Sequence, residues 1–296
     1  MNDPEIKQNV RAFYDQIGWK KESDGYYQNA RYEDLRPVSA EYIHRCHMRI
    51  TPYFSAGGKF FLDAGSGPVQ YPEYLTYSMN FEKRVCADIS ITALIEARKK
   101  IGAHGLFVVA DVANLPFSAQ AFDGIVSLHT LHHLPLEEQK KAWLDLIRVL
   151  APKRTAVVVN GWTESGMMKK WQNTMGTMEK IGRFAARIRR KDRKKEQKVK
   201  QIDANASQAT GTFVQKLDAA WIKNTLRFPE TLSVEIRCWR SVSVRWLRAM
   251  IHQPYGKLAL RILFRNEEKR PEFYGEYGQY PLIIVKKIKN CKTENS

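Results

Sequence analysis

Short apolar runs alternate with amphipathic stretches between residues 59 and 160, and this is the clearest pattern in the chain. Each run ends near a polar or acidic residue, which is typical of a buried strand. Between the runs, apolar positions three and four residues apart predict helices over 70–79, 91–100 and 136–150. This alternation predicts a mostly parallel sheet with helices on both faces. The predicted strands are Lys59–Asp63, Arg84–Asp88, Leu106–Ala110, Phe122–Leu128 and Thr155–Val159.

The segments on either side of this core have other patterns. Near the N-terminus, Val10, Phe13, Tyr14 and Ile17 recur at helical spacing, and no strand is predicted there. After the core, an apolar stripe from Met167 to Ile188 predicts a long helix. We divide the chain into an N-terminal helical lid or flank (1–58), the α/β core (59–160), a basic helical insert expected to form a lid (161–230), and C-terminal strands and helices that complete the sheet (231–290). Outside the core we also predict strands over 232–239 and 281–287 and helices over 219–225, 244–251 and 255–264.

Positive charge is concentrated in one place. The chain carries a formal net charge of +17, and the stretch from Arg183 to Lys200 contains ten Lys or Arg and two acids. A basic balance favours anionic partners. Three interpretations stay open for the insert: an amphipathic helix lying on an anionic membrane, an apolar lid with a solvated basic tail, or an arm that docks RNA.

The composition indicates a folded protein in a reducing compartment. Apolar residues make up 44% of the chain, and no run approaches the roughly 18 apolar residues of a spanning helix. The N-terminus is polar and acidic, unlike a secretory signal. The four cysteines are scattered without a CxxC pair, which argues against a zinc site and predicts no metal. We expect a cytoplasmic protein, with peripheral membrane contact left open.

A glycine turn follows the first predicted strand. Asp63-Ala64-Gly65-Ser66-Gly67-Pro68 leaves two positions without a Cβ, where the backbone can approach a ligand closely. We expect a helix to begin near Pro68 and to offer free N–H groups to a nucleoside or phosphate. The P-loop sequence is absent, and Gln70 stands where the dinucleotide fingerprint has its third glycine. A turn that only packs a helix on a strand is the alternative.

Acids follow three consecutive strands. Asp63, Asp88 and Asp111 are 25 and then 23 residues apart, which is one strand–helix–strand unit each time. Right-handed crossovers bring the carboxyl ends of parallel strands to one edge of the sheet, so we expect all three carboxylates beside the glycine turn. Asp88 is placed for ribose hydroxyls and Asp111 for an adenine amino group. Helix capping or solvent exposure is the alternative for each acid.

This pattern resembles the class I S-adenosylmethionine-dependent methyltransferases, and most of all their small-molecule branch of the ubiquinone and menaquinone type. The resemblance covers residues 59–160 strongly and the final strands weakly. Val69 stands where many members have a further glycine. The residues that carry the resemblance are Asp63, Gly65, Gly67, Asp88, Asp111, Leu115-Pro116-Phe117, Phe122-Asp123 and Leu128-His129 through His132-His133-Leu134.

The resemblance implies a Rossmann-like, doubly wound α/β fold with a seven-stranded, mostly parallel sheet whose last strand is antiparallel. It implies S-adenosylmethionine as the cofactor. The implied cofactor-binding residues are Asp63, Ala64, Gly65, Ser66 and Gly67 at the methionine end, Asp88 and Ile89 at the ribose, Asp111 and Val112 at the adenine, and His129 on the methionine side.

His132 and His133 are the candidate catalytic residues. They follow the fourth strand on the expected acceptor side, and histidine is a natural base near neutral pH. The alternative is that they pack against the next helix. We predict a methyltransferase that acts on oxygen or nitrogen of a small-molecule, saccharide or lipid-linked acceptor. An RNA- or protein-modifying methyltransferase that docks through residues 183–200, and a non-catalytic cofactor-binding protein, are the alternatives.

Overall fold

The computed structural model describes residues 3–19, 27, 33–193, 213–226 and 232–288. Side chains are described within these ranges except at residues 3, 4 and 185–193. Residues 194–212 and 227–230 of the insert lie outside the described residues, so the partner of the basic stretch stays a prediction.

Seven strands form one sheet in the order β3-β2-β1-β4-β5-β7-β6. All neighbouring pairs up to β5 are parallel, whereas β7 runs antiparallel to both β5 and β6. The predicted fold class is therefore confirmed, including the antiparallel last strand. The strands are β1 (Gly58–Ala64), β2 (Phe81–Asp88), β3 (Gly105–Val109), β4 (Phe122–Leu128), β5 (Leu150–Val159), β6 (Leu232–Arg240) and β7 (Tyr280–Lys287).

This topology brings one end of each strand to the same edge of the sheet. The carboxyl ends of the parallel strands β1 to β6 lie there, and because β7 is reversed its amino end, at Tyr280, lies there too. Trp239 and Arg240, at the end of β6, therefore reach the same edge as Asp63 and Asp88. The site residues predicted from the sequence therefore lie at or just after these strand ends.

The core lies on both faces of the sheet. Successive residues of a strand point to opposite faces, and Leu62 packs with Trp143 while its neighbour Phe61 packs with Tyr77 and Leu94. The α-helices are α1 (Asp3–Phe13), α2 (Ala40–Met48), α3 (Ile91–Ile101), α4 (Leu136–Val149), α5 (Gly166–Arg193), α6 (Ala219–Thr225), α7 (Val244–Met250), α8 (Gly256–Lys269) and α9 (Pro271–Tyr277). A third cluster joins helices α2, α5, α7 and α8.

The prediction of an α-helix over residues 70–79 is wrong. A short 3-10 helix, Pro72–Ser78, replaces it, and no helix begins at Pro68. Val69 has a φ of 50°, in the left-handed region, and Tyr71 is extended, so the backbone cannot continue helically from the glycine turn. The expected helix N-terminus beside the ligand is therefore not formed.

The N-terminal flank and the insert contact different parts of the fold. Helix α1 continues into a π-helical turn, Tyr14–Gly18, and this segment covers the sheet edge. In α5, Met168 and Met175 are buried in the third cluster, whereas Ile181 and Phe184 are more than half exposed. Within the described residues, no helix is long and apolar enough to cross a membrane.

Candidate cofactor and acceptor site

A cavity of about 470 Å³ runs along the carboxyl edge of the sheet. The N-terminal segment and the short segment 213–217 cover it. No residue of α5 is among the residues that line it. The lining residues used below are Lys7, Tyr14, Trp19, Glu33, Asp63, Gly65, Ser66, Gly67, Asp88, Ile89, Asp111, Val112, His129, His132, His133, Lys216, Trp239, Arg240 and Tyr280.

The glycine turn forms a cradle that other residues would fill. Gly65 and Gly67 have φ values of 73° and 53°, where L side chains are strained. A Cβ on Gly65 would lie 2.2 Å from the Thr130 side chain, and one on Gly67 would lie 3.1 Å from the Trp19 ring. Ala64, by contrast, is fully buried and is not among the lining residues.

Asp88 is held against this turn. Its two carboxylate oxygens accept hydrogen bonds from the N–H groups of Gly67 and Ser90, each at 2.8 Å. Burial raises the pKa of Asp88 to about 6, against the lowering effect of these two bonds. Each oxygen keeps a lone pair for a further donor. The predicted bidentate contact with ribose hydroxyls is therefore geometrically available, and Ile89 lines the cavity next to it.

Asp63 has another partner. Its carboxylate forms a buried ion pair with Arg84, whose second nitrogen donates to the Tyr74 carbonyl at 2.6 Å. Although Asp63 is among the lining residues, its charge is neutralised by Arg84. Its direct contact with the cofactor stays a prediction.

Asp111 is engaged by the N-terminal helix. Lys7 Nζ lies 2.5 Å from one carboxylate oxygen and also contacts Glu138, while the N–H of Ala113 donates to the other oxygen at 2.9 Å. Burial lowers the pKa of Lys7, but the two carboxylates outweigh it and the net shift is upward. An adenine amino group would share Asp111 with Lys7, beside Val112, which also lines the cavity.

The two candidate catalytic histidines have defined tautomers. A carbonyl oxygen only accepts, so His133 Nδ1–H donates to the Phe213 carbonyl at 2.8 Å, and His133 Nε2 accepts from the Tyr14 hydroxyl at 2.7 Å. In the same way His132 Nδ1–H donates to Asn160 Oδ1 at 3.2 Å. Nε2 of His132 has no hydrogen-bond partner among the described residues and carries a lone pair.

Burial keeps these histidines neutral. It lowers the pKa of His132 well below its usual range, and the nearby imidazoles of His133 and His129 lower it further. Burial likewise lowers the pKa of His133 and brings that of His129 to about 3. A neutral imidazole can accept a proton from a hydroxyl or amine.

His129 follows β4 with a φ of 54°, and its ring faces β6 and β7. The ring lies 5.0 Å from that of Trp239 and 5.6 Å from that of Tyr280. It therefore lies between the glycine turn and an aromatic wall. The predicted place beside the methionine end is geometrically available.

Sequence reasoning missed the charged residues at this wall. Arg240 is 2% exposed, forms an ion pair with Glu33, and lies 4.5 Å from the Tyr280 ring centre. Lys216 lines the same part of the cavity. The strand ending at Trp239 was predicted, but the pairing of β6 with β7 was not visible in the sequence.

Comparisons with known proteins agree with this geometry. Residues 62–158 match the methyltransferase domain family. The chain is 31% identical over 156 residues to the Arabidopsis thaliana tRNA (carboxymethyluridine(34)-5-O)-methyltransferase, a match that covers 45% of this chain and 37% of that protein.

Two solved structures share the fold at low sequence identity. A Haemonchus contortus phosphoethanolamine N-methyltransferase, in complex with phosphoethanolamine and S-adenosylhomocysteine, is 10% identical with a TM-score of 0.56, covering 100% of this chain and 52% of that one. The Synechocystis magnesium protoporphyrin IX methyltransferase with bound S-adenosylhomocysteine is 14% identical with a TM-score of 0.53, covering 96% and 100% of the two chains.

The chain spans little more than a third of the plant relative and about half of the Haemonchus chain, at 37% and 52%. The resemblance to the ubiquinone and menaquinone branch stays a prediction. Residues 62–158 therefore form a domain of the methyltransferase family, with the fold of the two S-adenosylhomocysteine-bound methyltransferases, and S-adenosylmethionine is the cofactor of that domain.

Proposed function

We propose that this protein transfers a methyl group from S-adenosylmethionine to an oxygen or nitrogen of an acceptor bound beside His132. The observation that carries the proposal is one cavity that contains both the glycine cradle with Asp88 and the lone pair of His132. Cofactor and acceptor would therefore meet within a single site.

The residues have separate tasks in this reaction. The cofactor supplies an electrophilic methyl group on a sulfonium. Asp88 orients the ribose, and the glycine turn receives the methionine end. Because the transfer is an in-line displacement, the protein contributes mainly positioning. His132 Nε2 accepts the proton of an acceptor hydroxyl or amine, and Tyr14 and Trp19 exclude water from above.

A two-step experiment tests the proposal. Calorimetry with S-adenosylhomocysteine measures cofactor binding, and incubation with methyl-labelled S-adenosylmethionine and fractionated small-molecule extracts detects transfer. We expect label in an acceptor fraction from the wild-type protein and none from Gly65→Trp, whose side chain fills the cradle. Cofactor binding with no transfer to any fraction would instead support the non-catalytic alternative.

The tRNA-methylating relative supports a second candidate, in which the acceptor is RNA. Label appearing in purified tRNA, with binding that weakens steeply as salt increases, would favour this candidate. Label confined to small molecules would exclude it.

Peripheral membrane contact is a further proposal. The exposed Ile181 and Phe184 continue the apolar stripe of α5 into the basic stretch. We expect sedimentation with anionic vesicles, reduced in Ile181→Ser/Phe184→Ser. Fractionation of cells would then separate a cytoplasmic from a membrane-peripheral protein.

A further inference from the structure

We propose that the acceptor carries an anionic group, a carboxylate or a phosphate, which binds between Lys216 and Arg240. The inference rests on the proposed function and adds the chemical class of the acceptor.

Arg240 is a buried cation with unused hydrogen-bonding capacity. Its Nη1 binds Glu33, but its Nε is buried and has no partner among the described residues. A buried donor left unpaired costs free energy, so an unpaired donor in a binding cavity indicates a ligand that supplies the acceptor. The guanidinium presents donors in a planar fork that matches a carboxylate or phosphate.

Lys216 adds a second positive charge, for which no acidic partner lies among the described residues. Burial lowers the pKa of Lys216, and its ammonium has no hydrogen bond or ion pair among the described residues. Glu33 and Arg240 offset each other, so Lys216 leaves this end of the cavity with one uncompensated positive charge. An anion would neutralise it.

Both cations lie beside the Tyr280 ring. The guanidinium carbon of Arg240 lies 4.5 Å from the centre of that ring. A Cβ on Gly161 would lie 3.3 Å from Lys216 Nζ and 3.4 Å from Tyr280 Cε1, so the ammonium lies near the edge of the same ring. The His129 ring lies 5.6 Å from the Tyr280 ring and 6.3 Å from the His132 ring. An anionic group held between them would therefore lie close to the candidate base.

The backbone fixes Lys216 in place. The Lys216 carbonyl accepts from the Thr163 hydroxyl at 2.7 Å, and the preceding Gln215 N–H donates to the His132 carbonyl at 2.7 Å. Gly161 leaves room for the lysine, because a Cβ there would lie 3.3 Å from Nζ. The backbone that carries the ammonium is thus held by the segments that follow β4 and β5.

The test uses the full chain saturated with S-adenosylhomocysteine and titrated by calorimetry with sodium acetate, inorganic phosphate and neutral acetamide. We expect acetate or phosphate to bind, acetamide not to bind, and Lys216→Gln to weaken anion binding about tenfold, as expected for a lost charged hydrogen bond. Lys216→Arg should keep most of the affinity. Preference for acetate or for phosphate distinguishes the two sources of the anion.

Two further variants make the result decisive. Lys140→Gln removes the same charge from the exposed face of α4 and should bind the anion as the wild type does. Glu33→Gln releases Arg240 from its ion pair and should strengthen anion binding. Equal anion affinity in the wild type and Lys216→Gln would overturn the proposal.

Different results would contradict the proposed function. No heat with S-adenosylhomocysteine would reject cofactor binding, whatever the anions do. If Lys216→Gln weakened S-adenosylhomocysteine binding tenfold, the two cations would hold the methionine carboxylate, and the acceptor proposal would be wrong.

Discussion

The hydroxyl of Tyr14 lies 2.7 Å from Nε2 of His133, and this hydrogen bond joins the N-terminal segment to the end of β4. The Tyr14 ring also stacks on Trp19, at 5.0 Å between ring centres, and Trp19 lies over Gly67. Through these contacts the N-terminal segment is joined to both the glycine cradle and the candidate catalytic histidines.

Tyr14→Phe removes the hydroxyl and keeps the ring. We expect the free energy of unfolding to fall by about 1 kcal/mol and S-adenosylhomocysteine to bind about fivefold more weakly, because the covering segment loses its bond to His133. Chemical denaturation and calorimetry measure the two effects. Tyr255→Phe, at a side chain that is 77% exposed, is the matched control and should change neither. Unchanged cofactor affinity in Tyr14→Phe would show that the bond does not hold the cover.

Asp88→Asn separates binding from stability. We expect S-adenosylhomocysteine affinity to fall at least tenfold, since a charged acceptor of the ribose hydroxyls is lost. Because burial raises the pKa of Asp88 to about 6, the folded protein binds a proton more tightly than the unfolded chain between about pH 4 and 6. The wild type should therefore lose stability as the pH rises from about 4 to 6, and Asp88→Asn, whose amide does not titrate, should not show this loss.

The control for Asp88→Asn lies on the same strand. Glu82 is exposed at the opposite end of β2, and Glu82→Gln should leave affinity and stability unchanged. Equal affinity in Asp88→Asn and the wild type would contradict the ribose role.

Three histidines that line the cavity make stability depend on pH. Burial lowers the pKa values of His129, His132 and His133 in the folded state, so the unfolded chain binds more protons below pH 6.5. We expect stability to be complete above pH 7 and to fall by up to about 1.4 kcal/mol per pH unit for each such histidine as the pH decreases. For His129 the loss continues toward pH 3. Thermal unfolding from pH 8 to pH 4 measures it, and His132→Gln should show a shallower decline. A parallel decline would mean that His132 is not the titrating group.

His132→Asn tests proton transfer. Once an acceptor is identified, we expect kcat to fall about 100-fold, because general base catalysis contributes at least this much, while S-adenosylhomocysteine affinity stays unchanged. The pH dependence of kcat should also flatten. His252→Gln, at an exposed histidine beyond α7, is the control. Full turnover by His132→Asn would leave His132 with a packing role.

The Asp63–Arg84 pair tests a structural role. Both side chains are buried, so Arg84→Ala leaves an unpaired carboxylate and should cost about 3–5 kcal/mol of unfolding free energy. Arg154→Ala breaks a more exposed pair with Asp123 and should cost about 1 kcal/mol or less. Denaturant unfolding of both variants measures the difference, and equal costs would contradict the structural assignment.

The sequence determined most of the fold because the strand and helix signals are local. Alternating apolar runs placed β1 to β5, and Ser90 caps α3 by a local contact, with its hydroxyl accepting from the Ala93 N–H at 3.1 Å. The helix after the glycine turn was the exception. There the left-handed backbone of Val69 overrides the helical spacing, and this conformation depends on the packing around it.

For the candidate site, the sequence placed the three aspartates at one edge, since parallel strands have a common direction. It could not show that Arg84 neutralises Asp63, that Lys7 binds Asp111, or that Arg240 and Lys216 line the same cavity as His129. Those partners lie far apart along the chain. The parallel pairing of β1 with β2 brings Arg84 to Asp63, and the folding of the N-terminal segment over the edge brings Lys7 to Asp111. The reversal of β7 between β5 and β6 brings Arg240 and Tyr280 to the same edge.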